Sequence, residues 1–314
     1  MNNLVNVLLP VFLVMGAGYL AAWRGMMTDS AIAGLMKFAQ AFAIPVILAT
    51  QMAKMNVWAS FHPAPLISFY AGALAAFGLS VVLARSWLGR APMDAAAIGF
   101  CAMFSNSVLL GLPIMERAYG PGSLDGNIAI IALHSPLLFT VGILAMEVAR
   151  AEGGSLGAVG MSALRGLFRT PMVIGILVGF ALNVWINTTG IDLPRPVWDA
   201  MNMIGRAGVP AALFGLGGVL HRYRPEGDGR AIAMVVLGSL VLHPGIGYVL
   251  GRWVFHLDTA ALRSVVLTAS MAPGINAYLF ADMYGAAKRV AASAVLVATG
   301  LSLLTIWLWL AILP

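Results

Sequence analysis

The 314-residue chain is short of charge and nearly without cysteine: 10% of its residues are charged, and Cys101 is its single cysteine. One thiol excludes an intramolecular disulfide framework, and its place in an apolar run fits a small buried side chain. With so few charges, a water-soluble globule of this length is excluded, because its surface has too little to dissolve it. The chain contains no Gly-x-x-x-x-Gly-Lys phosphate loop, no His-Glu-x-x-His, no Cys or His cluster and no Asp-rich magnesium motif. Primary pumping, metal hydrolysis and prenyl transfer therefore lack their usual chemical parts, and neither a cofactor nor a metal is expected. Strict alternation over strands of ten residues is absent too, which argues against an outer-membrane barrel. The net charge of +6 comes from Lys and Arg scattered singly near helix ends, not gathered in the stripe that nucleic acid requires.

What is present is hydrophobicity, at 61% of residues. Apolar runs long enough to cross about 30 Å of hydrocarbon as helices recur along the chain. Ten are expected, near residues 4–23, 31–53, 65–88, 94–119, 127–148, 170–187, 197–220, 231–253, 260–285 and 289–312. The first lacks the basic flank of a signal peptide and reads as a span. Arg24, Arg85, Arg90, Arg150, Arg165, Arg169, Arg222, Arg224, Arg230, Lys288 and Arg289 fall on one side; Lys54, Arg117, Arg195, Arg252 and Arg263 fall on the other. By the positive-inside rule the first group is cytoplasmic and both termini are extracytoplasmic, in a bacterial inner membrane.

Five helices per half then require any internal likeness to be inverted. Pro10 with Gly18-Tyr19 matches Pro171 with Gly179-Phe180, Pro45 matches Pro210, and Arg85 matches Arg252. Ser105 with Tyr119-Gly120 matches Ser270 with Tyr284-Gly285 at the offset of the proline pair. The expected fold is an all-α membrane protein of ten transmembrane helices in an inverted 5+5 repeat. Residues 1–150 form the first repeat, 151–169 a cytoplasmic linker and 170–314 the second.

The fourth and ninth helices carry helix breakers at corresponding depths. Ser105, Asn106 and Ser107 precede Gly111 and Pro113 in one; Pro273, Gly274 and Asn276 interrupt the other. Broken helices inside lipid expose backbone groups and asparagine amides that must be satisfied by something, and paired breaks in inverted repeats point to a solute site. Converging helix N-termini suit a carboxylate. The bland alternative is that Gly and Pro merely kink these helices.

Other candidates are less definite. His134 and His243 are either core histidines or proton relays, and Arg206 either balances an anion or pairs with an acid. Pro45, Pro210 and Gln51 either shape their helices or line the same central region. Lys37 can snorkel, and Glu116 and Asp282 lie close enough to the Tyr-Gly ends to reach the interface.

The run Asn106-Ser107-x-x-x-Gly111-Leu112-Pro113 with Tyr119-Gly120 resembles the first crossover motif of the auxin efflux carrier family, and Gly274-Ile275 through Phe280-Ala281 to Tyr284 resembles the second. The resemblance spans the whole chain and implies a compact bacterial branch without the long loop of plant members. It implies that helices 1, 2, 6 and 7 form a scaffold and helices 3–5 and 8–10 a mobile transport domain. Helices 4 and 9 would cross and hold the substrate at Asn106, Pro113 and Pro273. Members move organic acids and commonly pair as homodimers, so the resemblance implies elevator-type secondary transport of malonate, malate or auxin-like acids. Plant carriers also have an acidic residue one turn before a helix 2 lysine; if that lysine is Lys54, Thr50 stands in the acid's place. The alternative is a sodium-coupled bile-acid-type symporter, which shares the ten-helix crossover layout, so the coupling ion stays open between proton and sodium.

Overall fold

Proline and glycine positions set where the rods of this computed structural model bend and where they touch. It describes residues 2–150, 170–223, 226 and 228–314. The expected linker, with Arg165 and Arg169, and Arg224 lie outside the described residues. The chain forms α1 (Asn2–Trp23), α2 (Asp29–Lys54), α3 (Pro63–Ser86), α4 (Pro92–Met103), α5 (Leu112–Tyr119) and α6 (Asp125–Arg150). From residue 171 on come α7 (Pro171–Thr189), α8 (Arg195–Leu220), α9 (Gly229–Val254), α10 (Thr259–Ala269), α11 (Ile275–Tyr284) and α12 (Lys288–Ile312). No strand occurs among the described residues.

Eight of these helices are long and apolar enough to cross a membrane, while α4 and α10 are shorter apolar helices. The chain is a multi-pass integral membrane protein. Large apolar side chains such as Leu13, Val82, Trp253 and Leu304 stand exposed on its outside, where only hydrocarbon can cover them without cost.

Widened π-turns precede two prolines. Ala39–Ala43 lies just before Pro45 and Gly238–Leu242 just before Pro244, each closed by a bond that skips one residue more than an α-turn. Proline lacks an N–H and its ring presses on the preceding turn, and a wider turn relieves both.

Glycines then decide which rods lie closest. Gly18 of α1 faces the Phe214 backbone of α8 and Gly217 of α8 faces the Met15 backbone of α1, and neither position has room for a Cβ. Gly175 and Gly179 of α7 likewise lie on the Pro45 and Ala49 backbone of α2 with no room for a Cβ. The four helices α1, α2, α7 and α8 therefore pack as one group.

In the second group α3 packs on α4, α9 and α10; α6 packs on α4 and α10; α12 packs on α9 and α11. Its interior is aromatic, with Phe100 stacked on Phe280 at a centroid distance of 3.8 Å and on Phe104 at 5.1 Å. Phe69, Phe100 and Phe280 are fully buried. Cys101 is buried beside them, its thiol 3.7 Å from the Ala277 carbonyl.

The two groups meet at few places. One is a pair of hydrogen bonds from Arg117 of α5 to α1, Nε to the Val7 carbonyl at 3.1 Å and a terminal nitrogen to the Asn6 carbonyl at 2.9 Å.

Candidate functional site

The chain breaks after Met103 and again after Ala269, and the two breaks cross. Ser105 and Pro273 form an isolated antiparallel bridge: the Asn106 N–H donates to the Ala272 carbonyl at 2.8 Å and the Gly274 N–H to the Phe104 carbonyl at 3.4 Å. Backbone groups freed by one broken helix are thus satisfied by the other, which is the requirement for irregular chain at membrane depth. A side chain at Gly274 would stand 3.3 Å from the Asn106 side chain, tighter than ordinary contact, so glycine permits the crossing.

The two breaks lead into unlike helix starts. After the first, Asn106 caps its own segment: its Oδ1 accepts from the Leu109 N–H at 3.2 Å, and its carbonyl accepts from Leu110 and Gly111. A π-turn, Ser107–Gly111, then leads into α5 with Pro113 near its start. Of the amides expected to be free at this break, that of Leu109 is taken by the Asn106 side chain. The cap uses the oxygen of that side chain and not its N–H groups. Gly111 needs no special space: a Cβ there would make ordinary contacts of 3.6 Å or more.

After the second break, Gly274 precedes α11 and no side chain caps it. Asn276 stands in the first turn, beside amides that have no intrahelical partner. The two Tyr-Gly ends also have a physical reason. Gly120 closes α5 at φ +86° and Gly285 closes α11 at φ +67°, the left-handed region that glycine enters freely.

Asn276 opens onto a cavity of about 970 Å³ between the two helix groups. Lys37 and Gln40 of α2, Ser135 and Phe139 of α6, Arg222 and Tyr223 after α8, and Tyr278 of α11 line it with apolar neighbours. Arg222 is engaged, its Nε 3.0 Å from an Asp29 carboxylate oxygen. Lys37 has no carboxylate partner among the described residues. Positive charge, an uncapped helix N-terminus and an amide thus share one cavity, an arrangement suited to a carboxylate.

Paired and crossed helix breaks, one of them uncapped and opening onto a cavity, are parts of a carrier. The chain matches the family described as "Membrane transport protein" over residues 4–310. It belongs to that family, the auxin efflux carriers. It is 22% identical to "Auxin efflux carrier component 8" of Arabidopsis thaliana, over 94% of this chain and 93% of the plant protein. An "Uncharacterized transporter" of Methanothermobacter thermautotrophicus is 25% identical over 98% of both chains. The mouse "Lysosomal cholesterol signaling protein" is 26% identical over 69% of this chain, which amounts to 26% of its own length. As a member of this family the protein is a transporter and not an enzyme.

Within this family member the expected site residues divide. Ser105, Asn106, Ser107, Gly111, Pro113, Pro273 and Gly274 are buried at or beside the crossing, and Asn276 reaches the cavity. Pro45 is buried elsewhere, where α2 meets Gly175 of α7. Pro210 and Arg206 are exposed on α8, and Arg206 has no ion pair among the described residues. Gln51 sits half-buried in the last turn of α2 and is not among the residues lining the cavity. Thr50 donates to the Val46 carbonyl, and Lys54 lies 4.5 Å over the Trp198 ring.

Lys37, Gln40 and Ser135 were not among the expected site residues. A lysine near a helix end reads from sequence as a snorkelling side chain, and nothing local says that a cavity lies beside it. Glu116 and Asp282 are exposed, as expected for side chains that reach the interface, and Asp282 pairs with Lys288 at 2.9 Å.

Proposed function

We propose that this family member is a secondary active transporter of small organic anions, mono- or dicarboxylates of the malonate, malate or auxin-like kind, working by elevator-type alternating access. The observation that carries the proposal is the crossing itself: a backbone bridge between Ser105 and Pro273, with the uncapped α11 N-terminus and Asn276 opening onto a cavity that also holds Lys37. Every feature there favours a negative ligand.

Ten spans in an inverted repeat belong to the same proposal, with α4 to α5 and α10 to α11 as the fourth and ninth. Reciprocal glycine contacts support it. Gly18, eight residues after Pro10, meets the backbone of Phe214, four after Pro210; Gly179, eight after Pro171, meets that of Ala49, four after Pro45. The same crossing is thus made twice, with the partners' order in the chain exchanged.

In this reading α1, α2, α7 and α8 are the scaffold, and the remaining helices carry the anion past it. The cavity lies at the end marked by Asp29 and Arg222, the basic and hence cytoplasmic side, while Arg117 holds α5 against α1 at the other. That arrangement corresponds to a carrier open inward, with both termini outside. Homodimer pairing is carried over from the family resemblance alone.

Uptake of radiolabelled malonate and indole-3-acetate into proteoliposomes tests the proposal, with and without sodium. Asn106→Ala is expected to reduce transport at least about tenfold, because it removes the donors and the cap, while costing about 1 kcal/mol of stability. Normal transport by a well-folded Asn106→Ala protein contradicts the site assignment. Transport that stops without sodium favours the bile-acid-type alternative.

A further inference from the structure

A second cavity, of about 650 Å³, lies in the first helix group, where α2 and α7 finish and α8 begins. Asp29 and Arg222 mark the opposite end of these helices, and the cavity shares no lining residue with the one that holds Lys37.

Its floor is built by α7. The buried Asn183 amide nitrogen donates to the carbonyls of Met52, Ala53 and Met55 at 3.2, 3.0 and 2.9 Å. A helix end leaves such carbonyls without partners, so the closing turn of α2 is held by its neighbour. Asn187, one turn further along α7, donates its own nitrogen to the Asn183 carbonyl at 2.8 Å. What it can offer a ligand is its oxygen.

Two opposite charges stand in this cavity and do not pair. Lys54 Nζ lies 4.5 Å over the Trp198 ring, and Trp198 Nε1 donates to Asp192 Oδ1 at 2.9 Å. The same oxygen accepts from the Leu193 N–H at 2.7 Å, which fixes the carboxylate in place. Neither Lys54 nor Asp192 has an ion pair among the described residues. The buried indole holds them apart, the cation on its face and the anion at its edge.

Such a pair of charges selects among ligands. A simple anion that meets Lys54 also meets Asp192, and a simple cation meets the reverse, whereas a group carrying both a phosphate and an ammonium answers both. The oxygens of Asp192 and Asn187 call for N–H donors, which a primary ammonium has and a trimethylated one lacks. Position then selects the source. Three apolar spans reach their ends at this cavity, where lipid headgroups meet the hydrocarbon. Val184 on its wall and Trp185 next to it are exposed, as side chains are that lie against acyl chains and in an interfacial aromatic belt.

We propose that this cavity binds the headgroup of phosphatidylethanolamine, with the phosphate on Lys54 and the ammonium on Asp192. The site stands apart from the crossing and does not depend on which solute is carried. It is tested by native mass spectrometry of the delipidated full-length protein in detergent, with phosphatidylethanolamine, phosphatidylcholine and phosphatidylglycerol of identical acyl chains. The unmutated protein should retain the ethanolamine lipid in preference to the other two. Lys54→Gln should lower that retention about tenfold, the worth of one charge-assisted hydrogen bond. Asp192→Asn should remove the preference for ethanolamine over choline, and Arg195→Gln, a nearby cation outside the cavity, should change neither. Equal retention of the three lipids by the unmutated protein overturns the site, whatever the variants do. Loss on Arg195→Gln as large as on Lys54→Gln overturns it too, because general surface charge then accounts for the binding. Binding of soluble O-phosphoethanolamine but of no lipid overturns the lipid assignment.

Discussion

Arg117 donates to the Asn6 carbonyl at 2.9 Å, and that carbonyl is available because Pro10, four residues on, has no N–H to offer it. A proline that reads as one half of a repeat signature thus also creates an acceptor on α1. The guanidinium that takes it belongs to α5, directly beyond the first helix break, and crosses between the two helix groups at the end away from the cavity.

We predict that this contact holds the outer side closed. Arg117→Ala removes the donor, and Pro10→Ala supplies an N–H that competes for the carbonyl. Both should raise the labelling rate of a Val108→Cys reporter, in a Cys101→Ser background, by a membrane-impermeant thiol reagent. About tenfold is expected if roughly 1.4 kcal/mol is lost from the closed state. Unchanged labelling in both variants would show that the contact has no part in closure.

Gly217 and Gly18 allow α1 and α8 to meet backbone to backbone. Gly217→Leu should destabilise the protein by about 3 kcal/mol or more, because the obstacle is main chain that cannot turn aside. Gly16→Leu, on the partner helix α1 where nothing lies within 4 Å of a Cβ, should be tolerated. The difference in thermal midpoint between the two variants is the measurement.

Lys37 is the cavity cation without a carboxylate partner, whereas Arg222 is held by Asp29. Lys37→Gln should weaken anion binding about tenfold and flatten its dependence on salt, since one Coulombic contact is lost while the amide and helix-end contacts remain. Titration of the variant with malonate at two ionic strengths decides this. An unaltered affinity assigns Lys37 to the interface.

Asp228 caps α9 and receives Arg90 at 2.8 Å. The Arg230 backbone N–H, followed by the Arg90 side chain, holds its carboxyl below the usual aspartate range. A depressed folded-state value means that this stabilisation is present above the unfolded value and is lost as pH falls through the folded one. Thermal midpoints should therefore show an acid-side loss, below about pH 4, that is reduced in Asp228→Asn. An exposed pair of this kind contributes at most about 1 kcal/mol, so the effect is small.

Much of this protein is written locally. Apolar runs set the spans, the broken segments at Asn106 and Pro273 can be read from their helix breakers, and the Tyr-Gly ends follow from the ease with which glycine turns left-handed. Membership of the carrier family was legible from the same two motifs. Pro45, Pro210, Gln51 and Arg206 could not be placed that way: which face of a helix a residue occupies against its neighbours is not a local property.

The paired helix breaks were determined by the sequence alone, because a missing N–H and a missing Cβ act wherever they occur. Only the tertiary structure decided that the breaks are joined by a backbone bridge between Ser105 and Pro273, that Asn106 uses its carbonyl oxygen on its own turn, and that Lys37 lines a cavity. It also made Pro10 an anchor for Arg117. Each of these joins groups tens of residues apart or depends on what fails to meet a side chain, and such relations exist only once the helices have packed.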